Sequence, residues 1–74
     1  MNKITSFLNV YGKRGTGAEI VLFRGLTDTP GCIKQSKRTA TSRGYTITRA
    51  ERITDYYEPL THESARTVER ITNY

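Results

Sequence analysis

Two alternating runs separated by a glycine-bearing loop open the chain, and no other feature of its 74 residues narrows the fold as much. In KITSFLNVYG, residues 3–12, Ile4, Ser6, Leu8 and Val10 fall on one side, and Thr5, Phe7, Asn9 and Tyr11 on the other. That period of two belongs to a β-strand. AEIVLFRGL, residues 18–26, repeats the pattern, with Ile20 and Leu22 opposed to Val21 and Phe23. The intervening KRGTG, residues 13–17, carries two glycines that accept positive φ. A short loop of this kind between two such runs predicts an antiparallel hairpin.

The next segment changes period. LTDTPG supplies Thr29 as a cap and Pro30 at the first helical position, and Gly44 supplies a left-handed stop. A helix from about Pro30 to Arg43 gathers Cys32, Ile33, Ser36, Thr39 and Ala40 on one side. Lys34, Lys37, Arg38 and Thr41 take the opposite side. The inner side chains are small, so the helix can lie close on a sheet.

YTITRAERITDYY, residues 45–57, is rich in β-branched and aromatic residues, and Tyr45, Ile47 and Ile53 share one parity. Arg49 and Glu51 share it too, which predicts a bulge or an exposed stretch. A second helix is the competing reading, with Thr48 and Glu51 as a capping box. In that case residues 36–53 form a helix-turn-helix DNA-binding regulator. Thr39 and Arg43 oppose it, because two steeply crossing helices would have to bury these polar groups in their seam. The strand is the preferred reading.

In the tail, Leu60, Ser64, Val68 and Ile71 follow a helical stripe with Thr61 as a cap, and a short C-terminal helix is expected. A repeat points the other way. ERITDY at 51–56 recurs as ERITNY at 69–74, and similar segments suit similar environments such as neighbouring strands.

Composition sets the limits. Isoleucine, leucine, valine and phenylalanine number 15, enough for one thin core, so residues 1–74 are read as a single domain. A chain of this size is marginally stable alone, which leaves homodimer formation open. Five tyrosines, twelve threonines and patterned apolar clusters argue against disorder. One cysteine excludes an internal disulfide framework and suits a reducing cytoplasm. No apolar run has the length of a membrane span or a signal peptide, so a soluble, unexported protein is expected.

Catalysis has few candidates. His62 and Cys32 are the only residues of their kinds, too few for a His/Cys zinc site. Cys32 falls on the core side of the predicted helix, where a free cysteine behaves as a small hydrophobe. GKRGTG, residues 12–17, lacks the spacing of a phosphate-binding loop and joins two strands. Glu51, Asp55 and Glu58 read as solvated charges. A non-enzymatic protein without metal or cofactor is expected.

Charge is unevenly placed. Residues 1–49 carry nine lysines and arginines against Glu19 and Asp28, whereas residues 50–74 carry three arginines against five acids. Lys34, Lys37 and Arg38 on the outer helix face, with Lys13 and Arg14 at the hairpin tip, form a surface for phosphates or acidic groups. Arg14, Arg38 and Arg49 have the fork geometry for bidentate contacts. Tyr11, Tyr45 and Tyr56 can stack on unpaired bases where they face outward. The inner helix face offers too little apolar bulk for a membrane surface.

Hairpin, basic helix, then a Gly-aromatic step into YTITRAERI: over residues 18–57 this layout resembles small β–α–β proteins that bacteriophages encode against host machinery. Anti-CRISPR proteins and phage inhibitors of bacterial RNA polymerase are examples. The resemblance implies a non-catalytic inhibitor in the host cytoplasm, docking on a nucleoprotein or nucleic-acid-handling complex. The expected fold is α+β, a three-stranded antiparallel sheet covered by one helix. The expected partner is nucleic acid or an acidic protein surface, met by Lys13, Arg14, Lys34, Lys37, Arg38 and Arg49. A virion structural or assembly protein is the remaining class.

Overall fold

Strand β1 (Lys3–Lys13) is the spine of the molecule, with β2 (Ile20–Leu26) paired on one side and β3 (Thr46–Glu58) on the other, both antiparallel to it. The computed structural model describes residues 3–72 and 74. Because β2 and β3 both oppose β1, they run parallel to each other. Helix α1 (Pro30–Ser42) is the crossover that carries the chain past β1. A fourth strand, β4 (Glu63–Ile71), folds back from β3 and completes the order β2-β1-β3-β4.

The helix ends follow from its sequence. Thr29 Oγ1 accepts from the Cys32 amide at 3.3 Å, and Pro30 starts the first turn. At the other end Gly44 takes φ +79°. The Gly44 amide bonds the Thr41 carbonyl at 3.1 Å and the Tyr45 amide bonds the Ala40 carbonyl at 2.9 Å. This paired closure turns the chain directly into β3.

The core lies between α1 and one sheet face. Leu8, Val10 and Ala50 are fully buried there, and Ser36 and Ala40 cover them from the helix. Gly12 extends the same row: a Cβ there would lie 2.5 Å from both Leu22 Cδ1 and the Thr46 carbonyl oxygen. Leu8 to Gly12 is therefore a groove floor on which the helix and β2 side chains settle.

The opposite face has no helix. Directly paired residues share a face, so Phe7, Ile53 and Val68 align across β1, β3 and β4. Ile53 is only 6% exposed, shielded by its neighbours in the sheet, while Val68 at the outer strand is 56% exposed.

Two expectations change. The sheet has four strands, and the tail is a strand instead of a short helix. Helix α1 packs against β2 and β3 and does not reach β4. A second helix bearing Leu60, Val68 and Ile71 would bury little, whereas β4 pairs continuously with β3 from Glu63↔Glu58 to Ile71↔Ala50. The helical stripe even loses Leu60, which is 84% exposed in the turn after Pro59. The supposed shared parity of Ile47 and Ile53 also fails. The register shifts between Tyr11↔Arg49 and Gly12↔Ile47, so the extra residue, Thr48, puts Ile47 on the helix face and Ile53 on the open one. The predicted bulge is real and accounts for the imperfect alternation. With residues 46–58 extended, no recognition helix follows Gly44, and helix-turn-helix geometry is absent from the described residues.

Candidate nucleic-acid interface

Three strand arginines are held in ion pairs. Arg49 Nε meets Glu19 Oε1 at 2.8 Å, its Nη1 meets Glu51 Oε1 at 3.1 Å, and its guanidinium lies 3.8 Å from the centre of the Tyr11 ring. Arg52 Nε donates to Asp28 Oδ2 at 2.6 Å and Nη1 to Glu69 Oε2 at 3.1 Å. Arg66 forks onto Asp55 through Nε at 2.7 Å and Nη2 at 3.0 Å. The acids respond: hydrogen bonds from Thr48 and Arg49 hold Glu19 below its usual range, and the fork of Arg66 does the same for Asp55.

The helix cations have a different environment. Lys34, Lys37 and Arg38 are all exposed, spaced three and four residues apart on the outer face of α1. Among the described residues none of them pairs with a carboxylate. A shallow surface depression runs between them and includes Thr41 and Ser42 but no acid. Three sheet arginines thus take up Glu19, Asp28, Glu51, Asp55 and Glu69, whereas the three cations of the outer helix face pair with no carboxylate among the described residues.

The hairpin tip joins the end of this helix. Arg14 Nη2 donates to the Arg43 carbonyl at 2.7 Å, and its guanidinium lies 4.5 Å from the centre of the Tyr45 ring. A cation at a helix C-terminus is favoured by the carbonyl dipoles gathered there. Lys13 is exposed at the end of β1, paired in register with Thr46. Five of the residues named from sequence therefore lie on the helix or at the tip tethered to it. Arg49 is the exception in character, since its fork is already occupied by Glu19 and Glu51. Tyr11 and Tyr45 are each half-buried beneath an arginine.

A neighbouring feature escaped the sequence. Past Ile71 the chain leaves the sheet and Tyr74 returns to the helix. Its hydroxyl hydrogen-bonds the buried Ser36 Oγ, which itself donates to the Ile33 carbonyl at 2.7 Å. Lys37 Nζ sits 5.4 Å from the Tyr74 ring centre. Burial raises the Tyr74 phenol above its ordinary range, with the Ser36 bond opposing. Between this returned tail, the helix and the start of β3 lies a groove of about 630 Å³. No local pattern announces it, because it depends on where β4 stops.

Other chemistry is sparse. Among the described residues no cluster of histidine, cysteine and acids can hold a metal ion. His62 is exposed in the β3–β4 turn with Nδ1 3.1 Å from the Tyr57 hydroxyl, and Cys32 is a half-buried free thiol. No helix among the described residues is long and apolar enough to cross a membrane. Comparison of the chain with protein-family models, curated proteins and solved structures found no match.

Proposed function

We propose that this protein is a non-catalytic binding domain whose basic helix face engages nucleic acid. Its layout, which resembles that of small phage-encoded inhibitors, supports a role in blocking or modulating a host nucleic-acid complex or defence system. The observation that carries the reading is the segregation of charge. Among the described residues Lys34, Lys37 and Arg38 pair with no carboxylate, while Arg49, Arg52 and Arg66 hold Glu19, Asp28, Glu51, Asp55 and Glu69. Open cations of this kind release counterions from phosphates. In this reading Lys13 and Arg14 extend the surface at the hairpin tip, and Arg49 serves the sheet.

The test is affinity capture from a bacterial lysate with and without nuclease. Retention of nucleic acid that is lost with Lys34→Glu/Arg38→Glu supports the reading. Capture of an acidic protein that survives nuclease would move the target from nucleic acid to the complex that handles it. Equal capture by wild type and the double variant would remove the helix face from the interface.

A further inference from the structure

The groove beside the helix has features that the cation face alone does not explain. Its walls include Lys37 and Thr41 from α1, Tyr45 with the start of β3 as far as Arg49, and the end of β4 at Ile71 with Tyr74 beyond it. Two aromatic rings thus line one groove together with threonine hydroxyls and an ammonium group. Each ring already has a cation near it, Arg14 at Tyr45 and Lys37 at Tyr74. Lys37 and Thr41 also line the depression between Lys34 and Arg38, so groove and cation face form one continuous tract.

From this juxtaposition we infer that the groove accepts an unstacked base of single-stranded nucleic acid, while Lys34, Lys37 and Arg38 follow its phosphates. The inference rests on the nucleic-acid reading above and specifies its substrate. A flat base needs an aromatic wall, and hydroxyls that both donate and accept can meet the edges of any base. The groove volume, about 630 Å³, lies within the range of roughly 300–1,000 Å³ found for clefts that take small molecules and cofactors, so a base has room there. A duplex keeps its bases stacked inside and offers nothing for such a groove, and it would contact the cations alone.

Tyr74 is the discriminating residue, because its ring lines the groove while it lies beyond the last strand. The experiment is fluorescence anisotropy with a labelled single-stranded oligonucleotide and with a duplex of the same sequence. Wild type, Tyr74→Ala, Tyr74→Phe and Lys34→Glu/Arg38→Glu are compared, with far-UV circular dichroism confirming the fold of each. Wild type is expected to favour the single strand. Tyr74→Ala should weaken single-strand binding at least about fivefold, the lower end for loss of one stacked base, and leave duplex binding unchanged. Tyr74→Phe, which keeps the ring and loses the bond to Ser36, should bind the single strand as wild type does. Equal affinity for both strands, or Tyr74→Ala without effect on the single strand, overturns the groove assignment while helix-dependent binding leaves the broader reading intact. No binding of either probe overturns both.

Discussion

Arg52 of β3 stands directly opposite Glu69 of β4, with Nη1 3.1 Å from Oε2, and the two belong to the two copies of one hexapeptide. ERITDY and ERITNY meet antiparallel, so the first residue of each copy faces the second residue of the other: Glu51↔Arg70 and Arg52↔Glu69. An acidic residue followed by a basic one is complementary to itself in this orientation, which explains the recurrence physically. Glu69→Lys places two cations across the strands and should lower the melting temperature and accelerate amide exchange in β4. At the turn, Glu58 faces Glu63. Glu63→Lys there should have the opposite sign, stabilising by about 0.2–1 kcal/mol. Thermal unfolding of the two variants side by side checks the pair. If both shift in the same direction, cross-strand charge does not govern the hairpin.

Gly12 and Gly31 make a second pair of opposite sign. A methyl group at Gly12 would collide with Leu22 Cδ1 and with the Thr46 backbone, and the backbone oxygen cannot step aside like a flexible side-chain tip. Gly12→Ala should therefore destabilise by about 1–3 kcal/mol, the usual cost of overpacking. At Gly31, in the first turn of α1, an added Cβ meets nothing within 4 Å. Gly31→Ala should stabilise by about 0.5–1 kcal/mol through lower unfolded-state entropy and better helix propensity. Urea denaturation curves with matched slopes test both.

The elements with local causes were legible in the sequence. The first hairpin follows from alternation, although register shifts against β1 put Phe23 on the face of Ile20 and opposite Val21, which alternation alone did not place; α1 follows from Thr29, Pro30 and Gly44. The inner and outer helix faces also fell as the 100° spacing placed them. What was not legible depended on distant partners. Residues 63–71 form a strand because β3 offers a continuous free edge, and nothing within the tail announces that edge. Arg49 reads as an open cation until Glu19, far off in sequence, is found 2.8 Å away. The groove escaped for the same reason, since Tyr74 and Tyr45 approach it from opposite ends of the second half of the chain.

The acid response follows from Asp55 and Glu19, whose folded values lie below the ordinary carboxylate value of about 4. A depressed folded value means that the stabilisation is fully present above the unfolded value and is lost as pH falls through the folded one. Melting temperature should thus hold steady from neutrality to about pH 5 and fall below about pH 4. Asp55→Asn removes one contributor and should flatten the fall while lowering stability at neutral pH. At the alkaline end Tyr74 has the reverse sign. Its raised value stabilises the fold below about pH 10, the ordinary tyrosine range, and this is lost as pH climbs through the folded value. Tyrosinate absorbance in wild type against Tyr74→Phe locates that step. An unchanged acid profile in Asp55→Asn would show that the fork from Arg66 carries no proton linkage.

The unequal status of the cations predicts a hierarchy in salt dependence. Lys34, Lys37 and Arg38 carry no carboxylate partner among the described residues, so each contacted phosphate should release its counterion in full. For single strands the slope of log affinity against log salt is about −0.7 per phosphate neutralised, so loss of one helix cation should lessen it by about that amount. Lys34→Ala and Arg38→Ala should each do this. Arg49→Ala should change the slope less, because its guanidinium, although it lines the groove, already answers Glu19 and Glu51, and its removal should mainly lower the melting temperature. Arg14→Ala should show both effects, losing a tip cation and the bond to the Arg43 carbonyl that closes the helix. Faster amide exchange at residues 41–45 reports the second effect separately. An Arg49→Ala slope change as large as that of Lys34→Ala would mean that the sheet cations reach the ligand, and the division of charge between helix and sheet would then have no functional content.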